Sequence, residues 1–175
     1  YEYRTDEWGN VWHRIVGRSS GGEIFKPALA DWSALKDLRT PDFDNPARYG
    51  AAKKAFAEFP DRYRMAGLPG FPFAICRYLR KMEVYFQDLL LERKRVDELH
   101  ERVTGLLERM IGRWAEAGAD GVFFCEDWGT QERLLVSPGM WREIFKPLFA
   151  RLCGAAHARK LHVIMHSCGY NRAIL

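Results

Sequence analysis

The sequence predicts an α/β fold of parallel strands joined by crossover helices, and three observations predict it. Residues 121–125 (Gly-Val-Phe-Phe-Cys) and 161–165 (Leu-His-Val-Ile-Met) are short, mainly apolar runs of strand length. A helical stripe precedes the first of them, with apolar residues at 96, 99, 103, 106, 107, 110, 111, 114 and 117. Both runs end abruptly in polar residues able to do chemistry, Glu126-Asp127 and His166-Ser167-Cys168. Buried strands separated by helices mean parallel βαβ units, in either a barrel or a doubly wound sheet. No G-x-G-x-x-G follows any strand, so the dinucleotide-binding fold lacks its fingerprint.

Each element has its own signal. Residues 1–17 carry Tyr1, Tyr3, Trp8, Val11, Trp12 and Ile15 around Trp-Gly-Asn, a hairpin or pair of short strands. Residues 18–45 are rich in Gly, Pro, Asp and Ser and read mostly as loop. Asn45-Pro46 opens a helix to about Phe59, with proline at its first position. A strand near 63–66 breaks at Gly67-Leu68-Pro69-Gly70, and helical spacing resumes over 73–91. The stripe from Val96 ends at Gly118, where a C-terminal cap belongs. Ser137-Pro138 starts a last helix over 139–159, which Pro147 should bend. The strands near 63–66, 121–125 and 161–165 are expected in one parallel sheet, with helices 96–117 and 139–159 packed outside it.

Composition narrows the function. The 175 residues suffice for one domain with a sizeable core, and 47% hydrophobic with 29% charged is ordinary for a globular protein. The net charge of +4 is spread among acidic residues rather than gathered in a stripe, which argues against nucleic acid as partner. No apolar run reaches the length of a membrane span, and Tyr1-Glu2-Tyr3-Arg4 is no signal peptide. Cys76, Cys125, Cys153 and Cys168 are scattered without paired spacing, which suits a reducing cytoplasm. The chain starts without methionine and stops at Ile174-Leu175, so it reads as a piece of a longer protein. If so, its strands are too few to close a barrel, and open edges invite association.

In parallel α/β folds the chemistry sits at the carboxyl ends of the strands. One strand delivers Glu126 and Asp127 as candidate catalytic groups, with Trp128 and Gln131 beyond them for substrate contact. The other delivers His166 and Cys168. At i and i+2 on a strand these two point the same way, about 6–7 Å apart along the backbone. That spacing can chelate a zinc ion, and Gly169 leaves room for close backbone approach. Two ligands do not make a site, and no other Cys or His is evidently placed to add a third. The pair therefore reads either as part of a metal site or as a buried strand end. Glu126-Asp127 reads either as catalytic or as a solvated pair. Cys125 and Cys153 read as core residues, His13, His100, His157 and His162 as surface or satisfied core groups, and Arg93-Lys94-Arg95 as a solvated face.

The ordered stretches DEWGNVW, PGFPFAICRYLRKME, GADGVFFCEDWGTQERLLVSPGMWREIFKPLF and HVIMHSCG resemble the uroporphyrinogen decarboxylase superfamily over nearly the whole chain. The resemblance implies a (β/α)8 (TIM) barrel, here incomplete, since such proteins are roughly twice this long and the chain matches a middle section. It implies an enzyme of one of two kinds. Zinc-dependent methyltransferases of this superfamily, which work with a corrinoid such as methylcobalamin, carry H-x-C and a later cysteine. By that likeness His166 and Cys168 bind zinc, the third ligand lies beyond Leu175, and a thiol accepts the methyl group from a corrinoid protein or free cobalamin. The alternative is uroporphyrinogen decarboxylase itself, in which tetrapyrrole acetates of porphyrin biosynthesis lose carbon dioxide. Its catalytic tyrosine finds a loose match in Tyr78, and its arginine-rich loop would precede Tyr1. Methyl transfer is the reading we take. A non-catalytic fragment is the remaining alternative, and the piece alone is expected to be inactive.

Overall fold

The computed structural model describes residues 1–18 and 21–174. In chain order the strands and helices are β1 (Glu2–Thr5), β2 (Val11–Arg14), β3 (Glu23–Lys26), α1 (Gly50–Glu58), β4 (Met65–Gly67), α2 (Pro72–Arg80), α3 (Met82–Leu91), α4 (Arg93–Glu116), β5 (Gly121–Cys125), α5 (Pro138–Met140), α6 (Lys146–His157) and β6 (His162–His166). They fall into two compact units. The first holds Tyr1–Asp42 and Ile75–Glu101, the second Phe43–Ala74 and everything from Arg102 onward.

In the first unit β1, β2 and β3 form an antiparallel sheet. The turn between β1 and β2 is organised by Asp6. Its carboxylate accepts the backbone N–H groups of Trp8 (3.0 Å) and Asn10 (2.9 Å) and the Trp12 indole N–H (2.7 Å). Gly9 supplies the positive φ of 86° that the turn requires. Among the described residues, 18–45 are mostly loop as expected, with β3 and a short 3-10 turn at Trp32–Leu35 as the exceptions; only Ile24 of the four β3 residues is buried, so that run lacks an apolar pattern. Ser19 and Ser20, in the same stretch, lie outside the described residues. The helix expected over 73–91 is two helices, broken at Lys81, whose φ is 71°. Across that break a buried ion pair forms: Arg80 Nε donates to Asp88 Oδ2 at 2.8 Å and the guanidinium stacks 4.2 Å from the Trp32 ring. Arg80 also donates to the carbonyls of Leu29 and Ala30, so its charge is fully engaged.

The second unit holds the parallel sheet, in the order β4-β5-β6, as expected from the strand–helix alternation. Val122 pairs with Ala66 and Val163, and Cys125 pairs with His166. Val122 and Phe124 are buried on one face of β5, where Phe124 stacks on Phe71 (3.6 Å) and Phe149 of α6 meets both rings. On the same unit, Arg151 of α6 pairs with Glu108 of α4 at 2.6 Å. The α4 helix closes as expected at Gly118, with φ 93°: Gly118 N–H donates to Ala115 O, and Ala119 N–H donates to Trp114 O.

The last helix is interrupted rather than merely bent. Trp141–Phe145 form a π-helical turn in which Lys146 N–H reaches back five residues to Trp141 O. Pro147 has no N–H to give the Glu143 carbonyl, and its ring would crowd that carbonyl in an α-helix; the wider turn relieves both. Among the described residues β4 and β6 each pair on one side only, and Ile164 and Met165 are exposed. No described helix is long and apolar enough to cross a membrane.

Candidate metal centre

Side chains alternate along β5, so Val122, Phe124 and Glu126 share the face that packs on helices, while Phe123, Cys125 and Asp127 share the other. In the parallel ladder Cys125 is paired with His166, which puts His166 and Cys168 on that second face as well. The result is a cluster of Asp127, His166 and Cys168 whose ligand atoms all lie within 4.8 Å of one another, a grouping that could hold a metal ion. His166 Nε2 is 3.0 Å from Cys168 Sγ and 3.9 Å from Asp127 Oδ1. Asp127 Oδ1 also accepts the Cys168 backbone N–H at 2.7 Å, which ties the two strand ends together.

Two glycines make this approach possible. The loop after β5 and the loop after β6 cross backbone to backbone, with Tyr170 N–H donating to Thr130 O at 2.7 Å. A Cβ on Gly129 would lie 2.2 Å from the Tyr170 carbonyl oxygen, and one on Gly169 would lie 2.2 Å from the Gly129 oxygen. Gly169 also has φ 75°, a region that L side chains rarely adopt. The glycine expected to allow a close approach thus does so, although what approaches is the neighbouring loop.

Electrostatics at the cluster favour a cation. Asp127's negative charge holds the Cys168 thiol above its usual range, helped by lost solvation, an Asp127 hydrogen bond and the nearby Cys125. Among the described residues, the only basic group within 4 Å of the Asp127 carboxylate is His166. A divalent ion at this point would reverse the thiol's preference, because a coordinating thiol is deprotonated.

The other residues singled out in the sequence are placed differently. Glu126 was expected to project with Asp127, and the structure corrects this. It is completely buried, and its carboxylate accepts the N–H groups of Phe71 (2.9 Å) and Ala74 (3.2 Å) at the start of α2. A negative charge there also suits the positive end of the helix. Trp128 is completely buried, stacked on Phe73 at 4.3 Å and meeting Phe145 edge-on at 4.9 Å. Gln131 is exposed in the loop closed by the Thr130 N–H to Arg133 O bond. Tyr78 lies on α2 in the first unit, edge-on to Trp12 at 4.9 Å, with the Arg77 guanidinium over its ring. Cys125, read as core, is exposed and lies on the cluster's face of the sheet; that is a second correction. Cys153 is half-buried, and burial pushes its thiol up. His100, read as surface or satisfied core, is buried, with Nε2 2.5 Å from the Tyr85 hydroxyl.

The second-face membership of Asp127 was available in the sequence. Counting in twos from Cys125 selects Asp127, not Glu126, as the group that accompanies a paired His166.

Among solved structures, a methyltransferase from Methanosarcina mazei matches with a TM-score of 0.72 at 17% identity, over 96% of this chain and 49% of that one. At that identity the likeness is one of fold, and the chain spans about half the length of that structure. No curated protein matches the sequence. The family model for uroporphyrinogen decarboxylase (URO-D) matches residues 15–175, which include β4, β5, β6 and all three residues of the cluster. The chain, an α/β protein with its chemistry-bearing groups at parallel strand ends, belongs to the uroporphyrinogen decarboxylase family.

Proposed function

We propose that the chain is part of an enzyme that transfers a methyl group between a corrinoid and a thiol with the help of zinc, on an incomplete (β/α)8 barrel. The observation that carries this reading is the convergence of Asp127, His166 and Cys168 at the carboxyl ends of adjacent parallel strands. It is supported by the fold likeness to the Methanosarcina mazei methyltransferase.

The donors fit zinc. Bonds of 2.0–2.1 Å to nitrogen and about 2.3 Å to sulfur set tetrahedral edges of about 3.5 Å between N and S and about 3.4 Å between N and O. The observed N–S distance of 3.0 Å is about 0.5 Å shorter and the N–O distance of 3.9 Å about 0.5 Å longer than these edges, so small side-chain rotations would seat an ion. His166 would bind through Nε2 and Cys168 through Sγ, with the third ligand of the family resemblance lying beyond Leu175. Bound zinc would lower the pKa of a substrate thiol so that it reacts as thiolate near neutral pH. The chain's own residues hold the donors: the ladder aims His166, the Asp127 carboxylate fixes the Cys168 backbone, and buried Glu126 ties the Phe71 and Ala74 N–H groups to the end of β5. None of the four cysteines is in a disulfide, which suits a cytoplasmic setting.

Decarboxylation of a tetrapyrrole is the competing reading, and it leaves the three clustered ligand atoms without a role. The test is to assay the whole protein, zinc-loaded and chelator-treated, for methyl transfer from methylcobalamin to small thiols and for carbon dioxide release from uroporphyrinogen. Chelator-sensitive methyl transfer is the expected result. Carbon dioxide release that the chelator leaves unchanged, with no methyl transfer, would overturn the reading.

A further inference from the structure

We propose that the cleft between β2–β3 and the α2–α3 junction binds a small aromatic carboxylate, and that the Lys81 ammonium group meets its acid. The cleft has a volume of about 370 Å³ and is lined wholly from the first unit, with Trp12, Glu23, Arg77, Tyr78, Lys81 and Glu83 among its residues. The metal cluster belongs to the second unit and takes no part in it.

Backbone strain singles out Lys81. Its φ of 71° and ψ of 135° lie outside even the small left-handed region that L residues enter, and glycine would occupy them freely. The buried Arg80–Asp88 pair accounts for the break in the helix, but not for a lysine at the break. Strain of this kind persists where a side chain has a function to perform. The walls of the cleft show which function. Trp12, Arg77, Tyr78 and Lys81 are half-buried, whereas the acids Glu23 and Glu83 are exposed. Trp12 and Tyr78 meet edge-on at 4.9 Å, and the Arg77 guanidinium lies 5.2 Å over the Tyr78 ring, so an apolar wall has positive charge beside it. Lys81 Nζ pairs with Glu83 at 3.0 Å, but with these side chains 43% and 59% exposed, water screens the pair and a ligand carboxylate displaces Glu83 at small cost. An aromatic ring against Trp12 and Tyr78, with its carboxylate toward Arg77 and Lys81, uses all four half-buried groups, and the volume is at the small end for a ligand site.

Calorimetric titration of the whole protein with benzoate, and with benzamide as its uncharged counterpart, tests this. Benzoate should bind, and benzamide should bind about 10-fold more weakly or worse, because only benzoate makes charge-assisted bonds. Lys81→Gly should weaken benzoate by about 10-fold while raising the urea midpoint, since glycine adopts this backbone without strain. Lys81→Ala should weaken benzoate as much but keep the strain, so its midpoint should not rise. Lys160→Gly is the control: it relieves a positive φ of 61° in the second unit and should leave benzoate affinity at the wild-type value. No benzoate binding by wild type, equal affinity for benzoate and benzamide, or wild-type affinity in Lys81→Gly would each overturn the proposal. Lost binding with a lower midpoint in both Lys81 variants would overturn it too, by marking Lys81 as a structural support.

Discussion

Glu126 and Asp127 are neighbours in sequence, yet they leave the end of β5 on opposite faces, and their surroundings give them opposite work. Glu126 is sealed under the sheet, where each carboxylate oxygen takes a backbone N–H from the start of α2. Asp127 is at the open side, beside His166 and Cys168. Replacing Glu126 by Ala would leave two buried donors without acceptors and should cost about 3 kcal/mol of stability. Glu126→Gln retains one acceptor and should cost less, about 1 kcal/mol. Urea unfolding of both variants checks this, and zinc content should follow wild type in whichever variant remains folded. Equal stability of wild type and Glu126→Ala would contradict the anchoring role. The pairing of His166 with Cys168 was legible from their spacing. The separation of Glu126 from Asp127 followed from the period of a strand, but it has force only once Cys125 is known to lie opposite His166, and register is a tertiary fact.

At the scale of elements, strands 121–125 and 161–165 could be read within a residue because their runs are mainly apolar and end abruptly in polar residues, while the boundaries of 63–66 shifted to Met65–Gly67. The break between α2 and α3 had no sequence signal, since Arg80-Lys81 contains neither glycine nor proline. It is imposed by the Arg80–Asp88 pair and the carbonyls of Leu29 and Ala30, contacts distant in sequence. A similar lack of signal hides the end of α6. There Lys160 sits at φ 61° in the position glycine usually takes, with Lys160 N–H donating to His157 O and Leu161 N–H to Ala156 O. Lys160→Gly removes the left-handed strain and should raise stability by about 1 kcal/mol, read as a higher urea midpoint. A lower midpoint would show that the Lys160 side chain contributes more than its backbone costs.

The α3–α4 pair carries a pH dependence of its own. Burial holds His100 neutral, with its pKa lowered from 6.5 to about 4. The unfolded chain therefore binds a proton that the fold refuses, so this contribution is complete above pH 6.5 and is lost as pH falls toward 4. The loss should reach about 3 kcal/mol. His100→Gln, which cannot titrate, should flatten this part of the stability–pH curve. An unchanged slope would place the acid sensitivity elsewhere. Asp120, held down to about 2 by its hydrogen bonds from Arg64, acts only in much stronger acid, as pH falls through that value.

For the whole molecule, the family is shown by a match over residues 15–175, while the activity is read from one cluster at two strand ends. Composition and charge could not single out that cluster. What singled it out was the parallel ladder, which brings residues about forty positions apart, Asp127 and Cys168, to a 2.7 Å hydrogen bond. The account stands on the claim that this convergence binds zinc and that zinc is needed for methyl transfer. The most direct measurement is the metal content of wild type and Cys168→Ser in the whole protein, taken beside methyl transfer from methylcobalamin to a thiol. A hydroxyl is a far poorer zinc ligand than a thiolate, so the variant should retain little zinc and should lose methyl transfer with it. Full activity in a zinc-free Cys168→Ser protein would contradict the account.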